Sequence, residues 1–243
     1  MDLVEQLYEK INNTIPEIKG KVFIPLSGGL DSRVMAGIIN NRQPIDLSYV
    51  HFKVGSDTRH VSYSTQIADE LDIKKYYVIP IYQHEIDYDF NHVSNLPKTE
   101  SYTAFKKLSD IVNLKEYTLI MPHGMEYMTG IHITQFDLFY SNKNKKIDDW
   151  YLNIWRPIET KWVEFYKSFF KDIITTWQDD LVNYCLNLPL KYRCNQRLYR
   201  QMIIRYFPKL ASIPRDTMNF RIDQGEFKYT LNRLRYSICK LWS

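Results

Sequence analysis

From residue 21 to residue 124, short apolar runs alternate with amphipathic stretches, and this alternation constrains the fold more than any other feature. KVFIPL (21–26), IDLSYVHFKVG (45–55), KKYYVIPI (74–81) and YTLIMPHG (117–124) are rich in β-branched and aromatic residues and have strand length. Between them, residues 33–40, 57–72 and 99–113 read as helices. Val34, Ala36, Ile38 and Ile39 are available for packing in the first, and Val61, Ala68 and Leu71 lie near one face of the second. Strand–helix–strand order with buried strands predicts the α/β class: a doubly wound parallel sheet with helices on both faces.

The pattern changes near residue 142. SNKNKKIDD (141–149) is a polar, lysine-rich loop. Beyond it the sequence predicts helices over about 159–187, 190–206 and 226–241, separated near Pro189 and Pro208, and no strand. The expected organisation is an α/β core over 1–141 and a helical segment over 142–243 packed on it.

Several function classes are disfavoured at this level. No stretch approaches the ~20 apolar residues that span a bilayer. MDLVEQLYEK (1–10) reads as an acidic amphipathic helix, not a signal peptide, so a cytoplasmic protein is expected. Cys185, Cys194 and Cys239 are odd in number and form no CxxC, which argues against a disulfide framework and a structural zinc site. Charge is uneven. Residues 190–243 hold twelve Lys or Arg against three Asp or Glu, a net +9, which leaves −5 for residues 1–189 of a chain whose total is +4. A basic third signals an anionic partner or a solvated face.

The stretch VFIPLSGGLDSRVMAGII (22–39) carries the chemistry. A strand, a glycine-containing turn and a helix start together make an anion site, because the first helical turn has unbonded N–H groups and the positive end of the dipole. Gly28 and Gly29 keep Cβ atoms out of the way of a phosphate. Ser27 and Ser32 add hydroxyls, and Leu30 belongs to the same candidate nucleotide-binding loop. Asp31 is the unexpected member, since a carboxylate repels phosphate. It fits if it holds Mg2+ that bridges to the phosphates. There is no GxxxxGK[ST] and no GxGxxG, so neither common phosphate loop is present.

S-G-G-L-D-S after a strand resembles the pyrophosphate (PP) loop of the ATP pyrophosphatase superfamily, and PLSGGLDSR (25–33) is most similar to the synthetase domain of asparagine synthetase. The resemblance implies a HUP-like sheet and a loop holding the β,γ-pyrophosphate of ATP while a substrate oxygen attacks the α-phosphate. It extends over about residues 15–220. MPHGMEYMTG (121–130) stands where the family has its second loop: Gly124 matches the family glycine, Glu126 the metal-binding aspartate that partners Asp31, and Gly130 a later glycine. SFFKD (168–172) stands where the family often shows P-F-x-D, with Asp172 as the matching residue. The family's late-loop lysine corresponds in place to IPRDTMNF (213–220), making Arg215 the candidate cation and Lys209 and Arg221 its substitutes; a surface arginine is the alternative.

The departures shape the expected reaction. The family's full enzymes begin with a glutaminase domain whose nucleophile is an N-terminal cysteine; here the synthetase pattern follows Met1-Asp2 almost at once. The amine is then expected from free ammonia, a separate glutaminase or other partner chain, or the substrate itself. His123 replaces the family acid and could deprotonate an amine near neutral pH, with Asp148 or Asp149 orienting it; a histidine packing at the strand end is the alternative. Tyr127 replaces a family glutamate. Adenine is expected at the carboxyl end of the sheet, beside His51–Gly55, with Phe52 or Val54 flanking the ring, although both could equally be core residues.

The implied cofactors are ATP and Mg2+, and the expected activity is adenylation of a small-molecule or peptide carboxylate followed by amide formation. Two rivals remain. Arg193, Arg197 and Arg200 at helical spacing with interleaved Tyr192, Tyr199 and Tyr206 would suit an RNA backbone, as in an enzyme adenylating a tRNA base. A non-catalytic nucleotide-binding protein is the other, though it would not need two metal ligands at Asp31 and Glu126.

Overall fold

The computed structural model describes residues 1–86, 99–122, 125, 129, 153, 156–176, 178–215, 220–225 and 228–232. After α1 (Leu3–Asn13) come β1 (Lys21–Pro25), α2 (Leu30–Asn40), β2 (Leu47–Lys53), α3 (Arg59–Glu70), β3 (Tyr76–Ile81), α4 (Thr99–Ser109) and β4 (Tyr117–Met121). Each of the four predicted strands and the three helices near them is present. Gly29 is the N-cap residue of α2, which therefore starts three residues before the predicted 33 and takes Leu30 and Asp31 into its first turn.

A fifth strand, β5 (Asp172–Thr175), corrects the sequence reading of one helix over 159–187. It lies between α5 (Arg156–Tyr166) and α6 (Asp179–Asn187) and pairs in parallel with β4, Thr118 opposite Asp172 through Met121 opposite Thr175. Its β-branched run Ile173-Ile174-Thr175 favours extended backbone, and four residues are too few to register against the surrounding helical spacing. The strand order is β3-β2-β1-β4-β5, all parallel. From β1 the chain winds outward to β2 and β3, then crosses back to lay β4 on the other side of β1. The order reverses at β1, so the crevice between the carboxyl ends of β1 and β4 opens where the loop 26–29 leaves the sheet.

Both faces are covered. Phe23 of β1 and Tyr49 of β2 pack on Phe105 of α4, whose ring also meets Tyr166 of α5 at 4.8 Å between centroids. On the opposite face Tyr76 of β3 donates to Ser64 Oγ of α3 at 2.7 Å. Cys185 and Cys194 are buried, and burial pushes the Cys185 thiol up to about 12, as befits a packing residue. Cys239 lies outside the described residues. No described helix is long and apolar enough to cross a membrane.

The C-terminal helices lie against the core. The predicted helix 190–206 is broken into α7 (Leu190–Arg193), a 3-10 turn (Cys194–Gln196) and α8 (Arg197–Tyr206). The break is set by Asn195 and Gln196, both left-handed with φ 53° and 55°. Two successive non-glycine residues there store strain that the surroundings must offset. On α8, Tyr206 stacks on Tyr8 of α1 at 3.9 Å, and Arg205 pairs with Asp2 at 2.7 Å. Gly37 of α2 meets the next ring, Phe207: an added Cβ would stand 2.7 Å from Phe207 Cδ1. Then α9 (Pro208–Ser212) leads to a short antiparallel pair, β6 (Pro214–Arg215) and β7 (Phe220–Arg221), a second departure from the strand-free expectation. Residues 228–232 are helical; the rest of the predicted helix 226–241 falls on residues not described.

Candidate functional site

The turn after β1 stands at the topological switch point. Ser27 is exposed, Gly28 buried, Gly29 half-buried, and Leu30 and Ser32 buried. The turn is held by its own serines. Ser32 Oγ accepts from Ser27 N–H and lies 3.1 Å from both Ser27 Oγ and Ser27 O. Gly29 N–H donates to Ser27 Oγ at 3.2 Å. Gly29 has extended backbone (φ −77°, ψ 177°), so any glycine requirement there comes from approach space, not from the dihedral.

Asp31 is in the first turn of α2 and is half-buried, so its carboxylate is held at the positive end of the helix yet open to a ligand. Tyr199 of α8, fully buried, donates its hydroxyl to Asp31 Oδ1 at 3.3 Å. Magnesium bound through phosphates takes one or two protein carboxylates, and Asp31 is the described carboxylate of this turn that would supply one. Glu126, the expected second ligand, lies outside the described residues, as do His123, Gly124, Tyr127, Gly130, Asp148 and Asp149. Met125 between them is fully buried. Among the described residues no three His, Cys, Asp or Glu cluster as a metal site.

Arg215 is not a surface arginine. It is 1% exposed, and its Nη1 donates to Gln196 Oε1 at 3.1 Å and to the Tyr229 hydroxyl at 3.3 Å. The other face of this small network is Arg200, whose guanidinium carbon sits 3.4 Å from the Tyr229 ring centroid. The left-handed turn at 195–196 delivers Gln196 to Arg215, and the following turn of α8 delivers Tyr199 to Asp31. The substitutes named for Arg215 are engaged elsewhere: Lys209 pairs with Glu70 at 2.8 Å, and Arg221 with Asp223.

Arg33 escaped notice in the sequence and is the most connected polar residue of the site. It is fully buried, and its guanidinium donates to the carbonyls of Gly28, Leu210, Ile213 and Pro214. An arginine directly before the apolar run VMAGII (34–39) was the available signal. At the expected adenine edge, Phe52 is half-buried and Val54 is 44% exposed. Part of that edge is already used: Val54 N–H donates to Ile81 O, His60 Nε2 lies 3.0 Å from His51 O, and Lys53 O accepts from Ser56. Asp172 heads β5, exposed, beside β4.

The expected basic stripe is corrected. Arg193 and Arg200 are 2% and 3% exposed, Arg197 alone of the three is exposed, and Tyr199 is buried. The turn at 194–196 breaks the single helix that would have aligned them. Arg193 and Arg200 face the interior of the lobe, so the trio forms no continuous solvent-facing track for a nucleic-acid backbone.

No protein-family model and no curated protein matches the sequence. Solved structures similar to it in part include two synthetases. For an NMN synthetase from Francisella tularensis the identity is 16%, the match covers 51% of this chain and 56% of that one, and the TM-score is 0.36. For an NH3-dependent NAD synthetase from Campylobacter jejuni subsp. jejuni NCTC 11168, in complex with the nitrate ion, the values are 18%, 53%, 60% and 0.37. The chain thus spans less than two thirds of the length of either protein.

Proposed function

We propose that the chain is a PP-loop enzyme of the asparagine-synthetase-like kind that uses ATP and Mg2+ to adenylate a carboxylate and then forms an amide. One observation carries the reading. The serine–glycine turn stands at the sheet's switch point, Asp31 lies in the first turn of the helix that follows, and Arg33 bonds both the Gly28 carbonyl of the turn and the Pro214 carbonyl next to the buried Arg215. A Mg2+ ion there would neutralise charge on the phosphates and align them.

In this reading Ser27, Gly28, Gly29 and Ser32 cradle the β- and γ-phosphates, and Asp31 with Glu126 holds the metal. A carboxylate oxygen of the substrate attacks the α-phosphorus. The bond from that phosphorus to the bridging oxygen breaks, and pyrophosphate departs with the electron pair. Arg215, fixed by Gln196 and Tyr229, offers a cation to the charge that develops there. An amine nitrogen then attacks the carbonyl carbon of the acyl-adenylate, AMP leaves, and His123 takes the amine proton. Phe52 and Val54 flank the adenine, and the segment after residue 142 completes the site. The amine arrives free, from a separate glutaminase chain, or within the substrate.

The test is pyrophosphate release from ATP and Mg2+ across a panel of carboxylic acids and amines, with a tRNA arm alongside. AMP and pyrophosphate are the expected products with an acid and an amine. Asp31→Asn should lower the rate at least ~100-fold with the circular dichroism unchanged. ADP as the spent nucleotide would overturn the reading, and turnover only with tRNA would replace the carboxylate by a base.

A further inference from the structure

We infer that Arg33 is a positioning residue that locks the phosphate turn to the strand bearing Arg215, so that both halves of the nucleotide site hold one geometry. The inference rests on the proposed reading of the turn as an ATP site. Arg33 is the fourth residue of α2 and is fully buried, while its neighbours Val34, Met35, Ala36, Ile38 and Ile39 are buried and apolar. An apolar side chain would suit that interior, and burying a guanidinium is costly unless its donors are matched. The Nη donors are matched to specific places. Nη1 gives 2.8 Å to Leu210 O and 2.6 Å to Ile213 O. Nη2 gives 2.9 Å to Pro214 O and 3.0 Å to Gly28 O.

The single atom Nη2 therefore spans the centre of the phosphate turn and the residue before Arg215. The Pro214 carbonyl belongs to the planar peptide unit that also contains the Arg215 nitrogen. Fixing that oxygen fixes the plane from which the Arg215 side chain starts. Leu210 and Ile213 hold the approach to the strand in the same way. Only a planar fork with two terminal nitrogens reaches all four carbonyls at once; a lysine brings the same charge on one nitrogen. Charge and geometry can thus be separated by Arg33→Lys.

Four proteins are compared by calorimetry: the wild type, Arg33→Lys, Arg215→Met and the double variant. Each is titrated with Mg·ATP and with adenosine. Arg33→Lys should weaken Mg·ATP binding about tenfold and change adenosine binding less than about twofold, because only the phosphates need both halves in place. In the Arg215→Met background the same change should cost less than about twofold, since a residue acting through Arg215 has nothing left to position. Equal losses for Mg·ATP and adenosine, or full additivity, would overturn the inference. A wild type that binds no Mg·ATP would instead remove the ATP reading beneath it. If Arg33→Lys fails to fold, hydrogen exchange on the wild type decides. Saturating Mg·ATP should slow the amides of Ala211 and Ile213, which bond within their own segment, together with those of 27–33; protection confined to 27–33 would reject the lock.

Discussion

Asp31 and Tyr199 illustrate how much one hydroxyl can decide. In the proposed reading Asp31 presents an oxygen to a cation while sitting in a helix turn whose side chains rotate freely unless something stops them. The Tyr199 hydroxyl, 3.3 Å from Asp31 Oδ1 and carried on a fully buried ring, supplies that stop. Groups that orient a metal ligand commonly matter ~10-fold or more in metal affinity. Tyr199→Phe keeps the ring and removes only the hydroxyl. The free Mg2+ concentration giving half-maximal pyrophosphate release should therefore rise about tenfold with little change in unfolding midpoint. An unchanged Mg2+ requirement would reduce Tyr199 to packing. Asp31 was legible in the sequence because it sits inside a contiguous spelling. Tyr199 and Arg33 were not, because their partners are 168 and about 180 residues away along the chain and nothing local marks them. Arg215 was named from its place along the chain, but its burial and its partners Gln196 and Tyr229 are tertiary facts.

Helices and strands were readable wherever a period was sustained, as in α2 or β2, and failed where two signals competed. β5 is four residues between two helices, and the aromatic residues before it, Phe169 and Phe170, continue the helical spacing that hides it. The turn at 194–196 was invisible because Asn195 and Gln196 carry no marker as clear as glycine for a left-handed conformation. At this scale α2 is the element on which the site is built, and Gly37 tests its seating. Exchanging glycine for alanine inside a helix ordinarily stabilises by about 1 kcal/mol. Here the new methyl would stand 2.7 and 2.8 Å from two atoms of the Phe207 ring, which is itself buried. Forcing a methyl into a packed interior costs about 1–3 kcal/mol. Gly37→Ala should thus be net destabilising, by up to about 2 kcal/mol, in urea denaturation. A stabilised variant would show that Phe207 yields and that α2 and α8 are less tightly seated than the contact implies.

At the scale of the molecule, the candidate site is divided between the α/β core and the C-terminal segment that runs from α7 to β6. The turn and Asp31 belong to the first, Tyr199, Gln196 and Arg215 to the second, and Arg33 reaches across. The seam includes the Tyr8–Tyr206 stack, the Arg205–Asp2 pair and the Gly37–Phe207 contact as well as the Arg33 fork. Elements joined by a seam of this kind unfold together, so heating should give one transition reported identically by near- and far-ultraviolet circular dichroism. A nucleotide that engages both sides stabilises only the joined state. Mg·ATP at 100 times its Kd should add about 2.7 kcal/mol. In a chain of this size each kcal/mol moves the midpoint by about 2–4 °C, so the whole transition should rise by roughly 5–10 °C without splitting. AMP, which lacks the two outer phosphates that the proposed reading assigns to the turn, should move it far less. Two transitions, with Mg·ATP raising only one, would mean that the sheet holds the nucleotide by itself and that the C-terminal helices contribute neither the positioning of Asp31 nor the cation at Arg215.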